Sequence, residues 1–122
     1  MNKKIYNLNT LSKIVKSLKD KNKKISLCHG VFDLLHPGHI YHFDQAKTKS
    51  DILVVSITSD NKVLKGPGKP YFNEKHRLHA LASLEVIDYV VISNEKSAVN
   101  VIKKLKPNFY VKEVIIENQK TT

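Results

Sequence analysis

The chain has one cysteine, one arginine and no long apolar run, and each scarcity removes a class of function. Cys28 alone forms no intrachain disulfide, and it leaves a tetrahedral metal site only histidines and carboxylates to draw on. At the end of an apolar stretch it reads as a small buried side chain. No hydrophobic segment reaches bilayer length, and the opening Met-Asn-Lys-Lys-Ile-Tyr lacks the apolar core of a signal peptide. A cytoplasmic protein without membrane attachment is the expectation. Every basic residue except Arg77 is lysine. Arginine is the better reader of base edges, so a net charge of +10 does not by itself point to sequence-specific nucleic-acid binding. The lysines are also spread along the chain, from Lys3, Lys13, Lys16 and Lys19 to Lys103, Lys104 and Lys106, mostly as solvated helix faces. A basic cleft for triphosphates and sugar phosphates uses the same charge more economically, and no nucleic-acid partner is expected.

What is present is the patterning of an α/β domain. At 122 residues, 41% hydrophobic and 26% charged, the chain is expected to form one domain with its own core. Leu11, Ile14, Val15 and Leu18 recur at helical spacing, with Asn9 or Thr10 placed to cap, so a helix is expected over Leu11 to Asp20. Ile25 to His29 and Asp51 to Ile57 are apolar runs that suit parallel strands covered on both faces. Asn73 is placed to cap a helix reaching Leu84 or Glu85. A third strand is expected over Val86 to Ile92, with Asp88 paired to a lysine. A helix from Ser97, turning Val99, Ile102 and Leu105 inward, stops at Pro107, and Phe109 to Lys112 begins a fourth strand. Strands alternating with helices through short connections demand right-handed crossovers and a parallel, doubly wound sheet of Rossmann-like type.

The chemistry concentrates between Lys24 and Lys47. An apolar strand ends at Gly30, a turn carries Asp33, His36, Gly38 and His39, and a helix opens with Ile40 and Phe43 on one face. Helix N-terminal N–H groups lack intrahelical partners and carry the positive end of the dipole, so this unit offers an anion site before side chains are counted. Two histidines three residues apart add donors over that site. Gly30 and Gly38 permit close backbone approach or positive φ. Thr58-Ser59-Asp60 falls at the carboxyl edge of the second strand, where open sheets bind ligands. The loop Lys65-Gly66-Pro67-Gly68-Lys69-Pro70 places two lysines beside a bend that faces the same edge. Arg77, in the first turn of its helix, opposes the dipole and needs a compensating anion, either a ligand phosphate or Glu74.

From about Lys24 to Lys112 these residues resemble the cytidylyltransferase-like nucleotidyltransferases. The nearest pattern is that of the adenylyltransferase domains of ADP-heptose synthases, with glycerol-3-phosphate cytidylyltransferases further off. Gly30-Val31-Phe32-Asp33, His36-Pro37-Gly38-His39, Thr58-Ser59-Asp60, the Lys65 to Pro70 loop, Arg77, Asp88-Tyr89 and Leu105-Lys106-Pro107 carry the likeness. The resemblance implies transfer of a nucleoside monophosphate from ATP or CTP to a sugar or polyol phosphate, with release of pyrophosphate. It implies His36, His39, Lys65 and Lys69 as catalytic residues. Gly30, Val31, Phe32, Asp33, Gly38, Asp60 and Arg77 would bind the nucleotide, with Asp33 helping to hold Mg2+ through water. Homodimerisation is usual in such a group and is expected here.

The pattern breaks after Lys112. Where the family continues Gly-Gly-Asp-Tyr, this chain has Glu113-Val114-Ile115-Ile116-Glu117. Loss of one G from GGA GGT GAT TAT AGA, with the next base completing the frame, converts Gly-Gly-Asp-Tyr-Arg into those five residues. Residues 113–122 are therefore read as a divergent tail from a frameshifted or truncated gene. That leaves a C-terminally shortened domain in which 1–23 is an N-terminal helix and turn and 24–112 is the family-like core. A noncatalytic nucleotide-binding domain is the alternative function.

Overall fold

A computed structural model describes residues 3–63 and 70–112. Its order is α1 (Leu8–Asp20), β1 (Ile25–Gly30), α2 (Pro37–Thr48), β2 (Ile52–Thr58), α3 (Glu74–Ala82), β3 (Tyr89–Ser93), α4 (Val99–Leu105) and β4 (Phe109–Tyr110). A single 3-10 turn, Asp60–Lys62, follows β2. All four strands are parallel in the order β3-β2-β1-β4, and Ile5 adds an isolated bridge beside Val90 on the outer edge of β3.

The connectivity divides the helices between the two faces. Steps from β1 to β2 and from β2 to β3 move outward in one direction, whereas β3 to β4 crosses back over the sheet. With right-handed crossovers α2 and α3 cover one face and α4 the other. The cores agree. Phe43, Ala46, Leu78, Leu81 and Ala82 from α2 and α3 pack with Cys28, Leu53 and Val55, while Leu11, Val15, Val101 and Leu105 from α1 and α4 pack with Ile25, Leu27 and Val54. Alternating strand residues thus face opposite layers, as a doubly covered sheet requires. The strand order reverses around β1, so the crevice of this sheet opens at the carboxyl end of β1, directly before Val31.

Several boundaries differ from the sequence expectation for identifiable reasons. Helix α1 begins at Leu8 because Asn7, rather than Asn9 or Thr10, accepts the Thr10 N–H at 2.8 Å. In α4, which starts two residues later than Ser97, the inward positions are Val101 and Leu105, with Ile102 partly buried and Val99 53% exposed. Asp88 lies just ahead of β3, where it meets Lys47 at 2.5 Å and accepts the Leu53 N–H at 2.8 Å. Asn73 caps α3 as expected, accepting the His76 N–H at 2.8 Å. Residues 113–122, on which the frameshift reading rests, lie outside the described residues.

Candidate functional site

The segment after β1 is built around Phe32. Its φ of 51° is a left-handed conformation that costs a non-glycine residue energy, and it turns the ring back onto β1. A Cβ on Gly30 would lie 2.9 Å from Phe32 Cζ, so the packed ring calls for glycine at this position. The buried ring meets the edges of His39 and Phe43 at centroid distances of 5.4 and 5.2 Å. Packing in β1 is thereby transmitted to a candidate catalytic imidazole.

His36 and His39 start the helix as well as crowning it. His36 is the N-cap of α2, and its Nδ1 accepts the Gly38 N–H at 3.0 Å. His39 Nδ1 accepts the His36 N–H at 3.3 Å, closing a capping box, and the rings stack with centroids 3.9 Å apart. A nitrogen that accepts a backbone N–H carries no proton of its own. In the neutral ring the proton of each imidazole is therefore on Nε2, which makes both rings donors at the atom away from the backbone. The first-turn amides are spent internally. Gly38 N–H goes to His36 Nδ1, and the N–H groups of His39 and Ile40 go to the His36 carbonyl. The expectation of unpaired amides awaiting an anion is thus corrected, and what the turn places at the crevice is the stacked pair of imidazoles.

Arg77 holds the other side. Its guanidinium is 1% exposed and donates through Nε to the Phe72 carbonyl at 3.0 Å and through Nη1 to the Val31 and Thr58 carbonyls at 2.9 and 2.8 Å. Nη2 meets Asp60 at 2.6 Å. The anion paired with Arg77 in the protein is Asp60 rather than Glu74, which instead accepts the Asp60 N–H at 2.9 Å. Four of five guanidinium protons are committed to protein, so Arg77 clamps the ends of β1 and β2 to the segment entering α3. Asp33 completes the clamp by accepting the N–H groups of Tyr71 and Phe72 at 2.6 and 2.8 Å. Both Asp33 oxygens are engaged, and among the described residues no group of three His, Cys, Asp or Glu side chains could hold a metal. Lys65 and Lys69 lie outside the described residues.

His29 was not singled out from sequence, although it is the polar residue of an otherwise apolar strand end. Its Nε2 lies 2.8 Å from the Lys96 carbonyl, an acceptor only, so Nε2 carries the proton and Nδ1 accepts from the Ser56 hydroxyl at 2.6 Å. Burial lowers its pKa below 6.5, opposed by the Lys96 hydrogen bond. It ties β1, β2 and the segment after β3 together at the edge where the crevice opens.

With this geometry in view, the comparisons are direct. The Cytidylyltransferase-like family model matches residues 27–120. The chain belongs to that family. The match runs beyond Lys112, further than the family-like core read from sequence. Among curated relatives, the bifunctional protein HldE of Geobacter metallireducens is 44% identical over 111 residues, and that of Helicobacter pylori strain HPAG1 is 43% identical over 104. These alignments cover 89% and 84% of this chain but only 23% and 22% of the relatives, so the chain spans less than a quarter of the proteins it matches. A crystal structure of the lipopolysaccharide core biosynthesis protein from Thermoplasma volcanium superimposes with a TM-score of 0.64 at 31% identity, over 72% of each chain. As a cytidylyltransferase-like protein the chain has the Rossmann-like α/β fold and falls in a family of nucleotidyltransferases. No helix among the described residues is long and apolar enough to cross a membrane.

Proposed function

We propose that this cytidylyltransferase-like domain transfers a nucleoside monophosphate from ATP or CTP to a sugar or polyol phosphate such as heptose 1-phosphate, releasing pyrophosphate. The observation that carries the reading is the pair of imidazoles held by backbone caps at the start of α2, at the switch point of the sheet. Attack by an acceptor phosphate oxygen on the α-phosphorus places charge on the equatorial oxygens and on the departing pyrophosphate. Donors that need no reorganisation stabilise that charge, and one such donor is worth on the order of 2.7–4 kcal/mol. His36 and His39 take this role toward the α- and β-phosphates. Asp33, Asp60 and Arg77 hold the walls of the cleft in place, and Val31, Phe32, Gly30 and Gly38 form its backbone. Lys65 and Lys69 remain candidates for the acceptor or triphosphate. Mg2+ would enter with the triphosphate and keep most of its waters.

The HldE relatives favour heptose phosphate and ATP; glycerol phosphate with CTP is the competing pair. A second copy of the chain would pack on the exposed apolar side chains Leu34, Tyr41, Tyr71 and Phe72 beside α2 and α3. The deciding experiment measures pyrophosphate release with each nucleotide and each acceptor, alongside calorimetric titration of ATP and CTP. The His39→Ala variant should lose roughly 100-fold or more in turnover while its far-UV circular dichroism is unchanged. Near-normal release by His39→Ala would refute the assignment, and nucleotide binding without any release by the wild-type chain would make this a noncatalytic nucleotide-binding domain.

A further inference from the structure

The structure gathers lysines that are remote in sequence around one hollow. Lys13, Lys16 and Lys19 recur every three residues along α1, so they share a face. Lys104 and Lys106, at the end of α4, stand opposite, and together they line a cavity of about 450 Å3. Among the described residues Asp20 is the only carboxylate lining it, and it is paired with Lys16 at 3.4 Å. Lys19 Nζ is tied to the Lys106 carbonyl at 2.5 Å, which holds one ammonium at the seam between the helices. Both helices end here, so the two C-terminal carbonyl dipoles suit cations without neutralising them. The hollow lies on the face opposite α2 and α3 and beside the start of β1, since Asn108, two residues past Lys106, bonds Ile25. The whole length of β1 separates it from His36 and His39.

The geometry points to a second anion site, distinct from the nucleotide cleft, that takes a compact oligophosphate. Five lysines around one carboxylate make the hollow positive, which attracts a multiply charged anion, and lysine binds phosphate as a point charge. The volume matches small-ligand clefts, about 300–1,000 Å3. Among the described residues the lining contains neither arginine nor an aromatic ring, which are the groups that read and stack nucleic-acid bases, so a long nucleic acid is the poorer fit. The same phosphate chemistry could be free in solution or displayed as lipid headgroups, and the test separates these sources.

Inorganic tripolyphosphate is titrated calorimetrically into the full chain without magnesium, in a His36→Ala/His39→Ala background that weakens the nucleotide cleft. Binding should persist there and fall about tenfold when K13Q, K16Q and K104Q are combined, the sum of three exposed charge contacts. A control set with equal charge loss, K3Q, K23Q and K49Q, should leave affinity within about twofold, a change inside the noise of exposed ion pairs. Equal weakening by both sets would show that net charge, not the hollow, attracts the anion, and would overturn the proposal. So would a failure of tripolyphosphate to bind while a random DNA duplex does. Phosphatidylcholine vesicles with and without phosphatidylglycerol provide the other arm. Groove-dependent sedimentation with the anionic vesicles assigns the site to displayed phosphate, and binding of tripolyphosphate alone assigns it to free phosphate. If neither probe depends on these lysines, no second anion site exists.

Discussion

Replacing Arg77 with methionine keeps much of the side-chain volume and removes a guanidinium that satisfies four protein oxygens. Breaking a buried ion pair from one side costs about 3–5 kcal/mol. Asp60 is 39% exposed, so water takes over part of its hydration and moves this pair to the low end. The Thr58 carbonyl is buried, and an acceptor left without a partner there costs about 1–3 kcal/mol. These terms overlap, and the expected loss is about 4 kcal/mol, a large share of a total that is about 5–15 kcal/mol for a domain. At roughly 3–5 °C per kcal/mol for a chain of this length, Tm should fall by some 12–20 °C. Urea denaturation followed by circular dichroism measures the loss, and Asp60→Asn with the double variant completes a cycle. A clamp predicts coupling of about 0.5–3 kcal/mol between the two positions. If Arg77→Met instead loses under about 1 kcal/mol while ATP affinity drops, Arg77 is a phosphate ligand and the clamp is wrong.

Two further expectations follow from neighbouring residues. Gly30→Ala puts a methyl 2.9 Å from Phe32 Cζ, and overpacking of this kind costs about 1–3 kcal/mol; the displaced ring should also move the His39 ring resonances, and unchanged resonances with unchanged stability would refute the contact. His29 has a pKa lowered in the fold, so its contribution to stability is present above the unfolded value of about 6.5 and is lost as pH falls through the lowered folded value. Denaturation at a series of pH values should show a shallower acid decline for His29→Asn than for the wild type; parallel curves would remove His29 from the account.

Much of this protein can be read from residue pattern because its elements obey local rules. Apolar runs of five to seven residues became parallel strands, and Asn73 capped its helix where its side chain could reach an N–H three residues on. The histidine pair stood out for its spacing. What pattern could not reveal was partnership. Arg77 faces Asp60 across 17 positions and Asp33 faces Phe72 across 39, separations that only the sheet closes. Sequence could name Arg77's need for an anion but not choose Asp60, because the choice depends on how the end of β2 meets the start of α3. His29 escaped notice for the same reason, since its partners come from β2 and from beyond β3. The lysines read as dispersed because α1 and α4 lie at opposite ends of the chain.

The paired restraints at Asp60 and at Tyr71–Phe72 have an engineering consequence. One fixes where the chain leaves the sheet and the other fixes where it returns, and both draw on side chains outside the intervening stretch. Residues between those two moorings can then be exchanged, lengthened or shortened at a modest closure cost, about 0.6 kcal/mol per doubling of length. Variation there stays local, because the frame on either side is anchored by contacts that do not pass through it.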